Sequence, residues 1–110
     1  MSASAASVGR ALLPRIKEIV HGIDPTAQVI LYGSYARNEE GPESDIDLLI
    51  LIDKEKVSHE DHTRLMYPLF DLEMKHGVIV SPRVLPKSWW GKPPLVTPFY
   101  ENVRREGKPL

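Results

Sequence analysis

The spacing of apolar and polar residues predicts both helices and strands in this chain. From Leu12 to Ile23 apolar residues recur every three or four positions, which is the period of an amphipathic helix. We therefore predict a helix over about residues 11–22, with Pro14 tolerated in its first turn. The low-complexity run of small residues at the N-terminus, "MSASAAS", predicts an irregular start before that helix.

Three apolar runs predict strands. "QVILYG" (residues 28–33) predicts a buried strand that ends at a glycine, and "IDLLILID" (residues 46–53) predicts a second. The second run is apolar at nearly every position, which is typical of a strand buried on both faces of an α/β sheet. "GVIVSPRVL" (residues 77–85) predicts a third strand. Pro82 within it has no N–H to donate, which favours a sheet edge or a bulge.

Two further helices are predicted in the second half of the chain. Ser58 followed by Asp61 resembles a capping box, and the helix after it should end at Gly77 and be kinked or broken at Pro68. "TPFYENVRREG" (residues 97–107) begins with Thr-Pro and ends with Gly, which predicts a short C-terminal helix. The resulting order, α-β-β-α-β-α, predicts an α/β fold with a small sheet and flanking helices.

Composition narrows the class of protein. The chain has 110 residues, one domain's worth, so we predict a single domain over residues 1–110. A net charge of −1 and a pI near 6.4 give no strong sign of nucleic-acid binding. The absence of cysteine fits a reducing cytoplasm. No apolar run reaches the roughly 20 residues of a membrane span, and the N-terminus lacks a signal-peptide pattern, so we expect a cytoplasmic protein without a membrane segment.

Two acids stand at the start of the second predicted strand. Asp45 and Asp47 are two residues apart, so strand alternation places both on one side. Neighbouring carboxylates repel each other and raise each other's pKa, and a hard divalent cation removes that repulsion. Mg²⁺ takes one or two carboxylates together with substrate phosphates. We therefore predict a Mg²⁺ site at this pair.

The residues after the first predicted strand suit a phosphate. Gly33 lets a phosphate approach the backbone, and Ser34 begins an apparent helical turn whose N–H groups and hydroxyl are donors. Arg37 could add a fork of donors, or it could form a salt bridge to a nearby glutamate. Phosphate donors and metal-binding acids at neighbouring strand ends indicate metal-assisted phosphoryl or nucleotidyl transfer.

The segment "GSYARNEEGPESDIDLLI" resembles the Gly-Ser…Asp-x-Asp signature of the DNA polymerase beta-like nucleotidyltransferases, and more closely that of the minimal nucleotidyltransferases. The resemblance implies a small mixed sheet with flanking helices. It implies that Asp45 and Asp47 bind one or two Mg²⁺ ions and are catalytic. It further implies that ATP or another NTP is held by four residues: Gly33, Ser34, Arg37, and Ser44, which would cap the turn before the acids.

One family feature is missing. A third acid normally comes from the next strand, where this chain has Ile79 and Ser81 on the expected face. We therefore keep two hypotheses open. The first is a nucleotidyltransferase that moves a nucleoside monophosphate to a hydroxyl. The toxin–antitoxin pairs of this family imply a helical HEPN-type protein as the acceptor. The second is a degenerate domain that acts as an antitoxin or regulatory module by binding. A small-molecule modifier is a weaker third option, because the chain is short.

Some conspicuous side chains are assigned to structure. Trp89, Trp90 and Tyr100 should close the core, with an exposed anchor for a partner as the alternative. Asp71 and Glu73, on the helix before the third strand, should be solvated. The histidines have no metal-ligand spacing and lie near helix ends; they are His21, His59, His62 and His76.

Overall fold

The computed structural model describes the backbone of residues 5–110 and side chains from residue 8 onward. The first four residues of the predicted irregular start lie outside this range. The described elements are, in order, α1 (Ala5–Ile23), β1 (Gln28–Tyr32), β2 (Ile46–Ile52), α2 (His59–His76), β3 (Val80–Pro86), α3 (Lys87–Gly91), α4 (Pro98–Glu106) and β4 (Lys108–Pro109).

The strands form one mixed sheet with flanking helices, which confirms the predicted fold class. Its order is β3-β2-β1-β4. Strand β1 is antiparallel to both β2 and β4, whereas β2 is parallel to β3. Because parallel neighbours need a crossover, the chain passes through α2 between β2 and β3.

Strand β2 is buried on both faces, as its continuous apolar run predicted. Leu48 and Ile50 face a core formed with α1 and α2, and Leu49 and Leu51 face a second cluster. The second cluster is largely aromatic, and its members on α3 and α4 are Trp89, Trp90, Phe99 and Tyr100. Trp90 is buried and 4.8 Å from Tyr100 between ring centroids. The tryptophans therefore close the core.

Helix α1 is longer than predicted. It begins at Ala5 rather than near residue 11, so the small residues from Ala5 onward are helical and Pro14 lies inside the helix. Alanine is the best helix former, which accounts for the early start. Pro14 is exposed, so water can satisfy the carbonyl that its missing N–H leaves free.

Helix α2 has the predicted ends but not the predicted break. Ser58 and Asp61 form a complete capping box, and Gly77 ends the helix in the left-handed conformation (φ 68°). The helix continues through Pro68, so the break into two pieces is wrong. Burial of Leu65, Leu69 and Leu72 on both sides of the proline compensates for the lost hydrogen bond.

The later elements are partly as predicted. Strand β3 is an edge strand, as Pro82 indicated, and Thr97 caps α4 by accepting from the Tyr100 N–H. Glu73 is not merely solvated, because its carboxylate accepts from the Val80 N–H at 2.9 Å at the start of β3. The short helix α3 and the strand β4 are additional elements. Within residues 5–110 no helix is both long and apolar enough to cross a bilayer.

Candidate active site

The candidate site lies at one end of the sheet, where three strands begin or finish. Strand β1 ends there, while β2 and β3 begin there. In the register, Tyr32 pairs with Asp47, and Asp47 pairs with Ser81. Partners in register point to the same face of a sheet. Asp47 therefore lies between Tyr32 and Ser81 on the face that α3 and α4 cover.

Gly33 lies against the Asp47 carboxylate. Its φ of 73° is in the left-handed region, and a Cβ at this position would overlap Oδ2 of Asp47. Both facts require glycine here, because any other side chain would be strained and would displace the carboxylate. The predicted phosphate-binding residue and the predicted metal-binding residue are thus in direct contact.

The segment after Gly33 is a hydrogen-bonded turn rather than a regular helix. The Arg37 N–H donates to the Gly33 carbonyl at 3.2 Å, and the Glu39 N–H donates to the Ser34 carbonyl at 2.9 Å. Tyr35 is buried inside this turn and fixes it to the core. The backbone that would face a phosphate is therefore held in one conformation.

Helix α1 also anchors the turn. Arg10 forms an ion pair with Glu40 at 2.5 Å and donates to the Tyr35 carbonyl at 2.8 Å. Gly9 has no side chain, which leaves room for the Tyr35 hydroxyl. These contacts join residues 25 and 30 positions apart, and no local pattern in the sequence indicates them.

Ser44 closes the turn before the acids. Its Oγ accepts from the Gly41 N–H at 2.8 Å, and its own N–H donates to the Gly41 carbonyl at 3.1 Å. The next residue is Asp45. Ser44 thus fixes where the acid pair begins, and its side chain is engaged with the backbone of this turn.

The acids are electrostatically coupled. Burial raises the pKa of Asp47, and the charge of Asp45 raises this pKa further, while the Arg37 guanidinium lowers it. The pair therefore carries the repulsion that a cation would relieve. Within the described residues no group of three His, Cys, Asp or Glu side chains could hold a metal alone. Two carboxylates fit Mg²⁺ when nucleotide phosphates and water complete its shell.

Arg37 makes salt bridges in this structure. Its Nε donates to Glu39 and its Nη1 donates to Glu106 of α4, each at 3.1 Å. The local salt bridge was the alternative that the sequence left open. A guanidinium has five N–H donors, so two bonds leave donors for a phosphate. Arg37 remains 42% exposed.

Both positions expected to carry a third acid lie beside the start of β2. Ser81 is in register with Asp47, and the Ile46 N–H donates to the Ile79 carbonyl at 2.8 Å, so the pairing extends to Ile79. A serine therefore lies beside Asp47, and neither of the two positions expected to carry the third acid does so.

Sequence reasoning missed several residues that border the site. Phe99 packs edge-to-face on Tyr32 with 5.4 Å between ring centroids, and the Arg83 guanidinium lies 4.3 Å from the Phe99 ring centroid. Period-two alternation from Ser81 could have placed Arg83 on the site face. Nothing in the sequence indicated that Phe99 and Glu106 of α4 reach the site.

Comparison with known proteins identifies the family. A protein-family model described as "Nucleotidyltransferase domain" matches residues 13–89. A Methanocaldococcus jannaschii protein named "Putative protein adenylyltransferase" is 31% identical over 84 residues, covering 76% of this chain and 78% of that protein. A second protein of the same name and organism is 32% identical over 100 residues, covering 86% of this chain and 93% of its own length.

Two solved structures share the fold. "Structure of putative minimal nucleotidyltransferase" aligns with a TM-score of 0.59 at 26% identity, covering 98% of this chain and 97% of that one. "Crystal structure of the toxin-antitoxin with AMP-PNP" aligns with a TM-score of 0.60 at 18% identity, covering 87% and 69%. The second likeness shows the fold alone. The family model and both M. jannaschii relatives agree, and this chain belongs to the nucleotidyltransferase domain family.

Proposed function

We propose that this protein transfers a nucleoside monophosphate from ATP or another NTP to a hydroxyl group, in a Mg²⁺-dependent reaction. The observation that supports it is the contact between Gly33 and the Asp47 carboxylate. This contact joins a phosphate-binding turn to an acid pair. In the reaction the acceptor oxygen bonds to the α-phosphorus and its proton passes to water. The bond from the α-phosphorus to the β-phosphate bridging oxygen breaks, and pyrophosphate leaves.

Each residue of the motif has a role in this proposal. The backbone at Gly33 and Ser34 holds the triphosphate, and Arg37 adds donors to it. Asp45 and Asp47 hold Mg²⁺, which supplies charge neutralisation at the phosphates. Ser44 positions the acids through its turn.

We further propose that the acceptor is a protein, and specifically a helical HEPN-type partner. The name of the two M. jannaschii relatives specifies a protein acceptor for those proteins. The toxin–antitoxin structure that shares the fold pairs such a domain with a partner in the presence of AMP-PNP. The family resemblance of the Gly-Ser…Asp-x-Asp segment supports the HEPN identity.

Thermal melts test the nucleotide site. Mg²⁺ with ATP at saturating concentration should stabilise the wild-type fold by about 1–3 kcal/mol. Asp45→Asn should lose this gain, while Glu43→Gln, an exposed acid two positions earlier, should keep it. If millimolar Mg-ATP leaves the wild-type melting temperature unchanged, the proposed nucleotide site is wrong.

A binding module is the second candidate, and the serine at position 81 favours it. The site lacks the acid that helps to activate the attacking hydroxyl in this family. A purified wild-type protein that binds its partner without transferring label from radiolabelled ATP would support this candidate. Transfer that disappears in Asp45→Asn would support the enzyme.

A further inference from the structure

Strand β3 presents a row of three side chains beside Asp47. Ser81 is in register with Asp47, and Ile79 and Arg83 lie two residues to either side of it, so all three point to the same face. Ile79 is 54% exposed, Ser81 is half-buried and Arg83 is exposed. The row thus combines an apolar side chain, a small neutral one and a cation.

This row lies on the opposite side of Asp47 from the phosphate-binding turn. In the sheet, β2 separates β1 from β3, so Gly33 follows the strand on one side of Asp47 and Ser81 lies on the strand at the other. If the triphosphate occupies the β1 side, an acceptor approaching the α-phosphorus in line comes from the β3 side.

Arg83 is held in place without a carboxylate partner. Its guanidinium lies 4.3 Å from the centroid of the Phe99 ring, and Phe99 is packed on Tyr32. No ion pair within the described side chains involves Arg83. Its charge reaches the site, since it lowers the pKa of Tyr32 while the Asp47 charge raises it. An acid at position 81, two residues away on the same face, would pair with this cation, whereas Ser81 leaves it free.

We infer that the row Ile79-Ser81-Arg83 is the acceptor subsite, and that it selects a protein segment in which the reacting hydroxyl is flanked by a carboxylate. The carboxylate binds the Arg83 guanidinium, whose planar fork matches it, and Ile79 contacts the apolar part of the segment. This inference rests on the proposed nucleotidyl transfer and names the class of its acceptor.

Peptide acceptors test the inference in the intact protein. The probes are peptide pairs with one serine, threonine or tyrosine hydroxyl that differ only in whether glutamates or lysines flank it. With Mg²⁺ and radiolabelled ATP, the wild type should label the acidic peptide preferentially. Arg83→Gln should raise KM for the acidic peptide about tenfold and leave KM for ATP unchanged. Arg83→Lys should restore part of the loss, and Arg83→Glu should shift the preference to the basic peptide.

Arg104→Gln is the matched control. Arg104 also lies over an aromatic ring of the same cluster, 5.7 Å from the centroid of Tyr100, but its helix places it near Gln28, at the other end of β1. It should leave both KM values unchanged. An equal effect of Arg104→Gln and Arg83→Gln would overturn the inference, because it would show a general effect of the aromatic cluster.

The remaining outcomes are decisive as well. Labelling of neither peptide, or of an oligonucleotide 3′-hydroxyl instead, would overturn the acidic-acceptor subsite while the Mg-ATP stabilisation would still support the nucleotide site. Absence of that stabilisation would reject the proposed function itself. If Arg83→Gln fails to fold, Arg83→Lys can be compared with the wild type on the two peptides instead. A lysine retains the positive charge but loses the planar guanidinium donors, so a weaker preference for the acidic peptide would support the inference and an unchanged preference would overturn it.

Discussion

At the scale of single residues, Asp47 is a carboxylate whose burial and whose acidic neighbour both disfavour its ionised form. It is half-buried, its pKa is raised by burial and by Asp45, and it lies directly against Gly33. An ionised side chain in this setting costs free energy of folding, because burial and a like charge both disfavour the charge. The proposed Mg²⁺ would relieve this cost, because its charge neutralises both carboxylates.

Asp47→Asn should separate folding from binding. Without metal at neutral pH the variant should melt at a higher temperature than wild type, because an amide cannot ionise beside Asp45. Its metal-dependent affinity for ATP should fall by more than about 100-fold. Loss of a group that only orients a metal ligand already costs about 10–100-fold in affinity, and loss of the ligand itself should cost more. The measurement is a melting curve in chelator and in Mg-ATP.

Asp71→Asn serves as the control for Asp47→Asn. Asp71 is exposed and paired with Lys75 at 3.2 Å on α2. Asp71→Asn should change neither the stability without metal nor the free energy of Mg-ATP binding by more than a few tenths of a kcal/mol. Equal or lower stability of Asp47→Asn at neutral pH, or unchanged Mg-ATP binding, would mean that the acid pair is structural.

At the scale of elements, both long helices contain a proline, and each is stabilised by a buried apolar face. Helix α2 has a side-chain cap at its start as well. In the α2 capping box Asp61 accepts from the Ser58 N–H at 3.0 Å, and Lys54 donates to the same carboxylate. These bonds lower the pKa of Asp61 to about 2, with the Lys54 hydrogen bond the largest cause.

Asp61 should therefore contribute a pH-dependent part of the stability. A carboxyl with a lowered folded pKa stabilises the protein above its unfolded pKa of 3.8, and this contribution is lost as the pH falls toward about 2. Asp61→Asn should be less stable than wild type at pH 7, and the difference should shrink through this acid window. Unfolding by denaturant at several pH values measures it.

Glu60→Gln is the control for Asp61→Asn, since Glu60 is an exposed acid in the same first turn. It should show little change and no such pH dependence. Ser58→Ala should cost about 1 kcal/mol at pH 7, because it removes the bond to the Asp61 N–H. A constant difference between Asp61→Asn and wild type from pH 7 to pH 2 would contradict the assignment.

At the scale of the whole molecule, the site depends on contacts between distant segments. Gly9 and Arg10 of α1 contact the buried Tyr35 and so fix the turn that follows Gly33. Glu106 of α4 forms a salt bridge with Arg37, 69 positions away in the sequence. The motif alone therefore does not build the site. Its geometry requires α1 and α4 in their places.

Gly9→Ala should show this dependence. The new methyl group would overlap the hydroxyl of Tyr35, which is 1% exposed and has no room to move. We expect a loss of about 1–3 kcal/mol in the free energy of unfolding, the usual cost of overpacking, together with weaker Mg-ATP binding because the turn shifts.

Gly22→Ala is the matched control, because it lies in the same helix with no atom within 4 Å of the new methyl group. It should gain up to about 1 kcal/mol from helix propensity. If the two variants have equal stability, the packing of α1 on the turn that follows Gly33 is not critical.

The sequence by itself determined most of the elements and the family to which the motif belongs. Capping residues such as Ser58 and Thr97 act on the nearest backbone, and the apolar run of β2 reflects its burial directly, so local patterns were sufficient to predict them. The motif that combines the glycine with the acids could also be read locally, because Gly33 and Asp47 lie in one short segment of sequence. Its resemblance to the nucleotidyltransferases followed from the residues alone.

Only the tertiary structure decided what surrounds the motif. The continuity of α2 through Pro68 depends on core packing that outweighs a local penalty. The position of Ser81 beside Asp47 depends on the pairing of β2 with β3. The contact of the Arg83 guanidinium with the Phe99 ring depends on where α4 packs on the sheet. These contacts join residues far apart in sequence. Their free energy comes from burial and register in the folded chain, and no local pattern of residues encodes them.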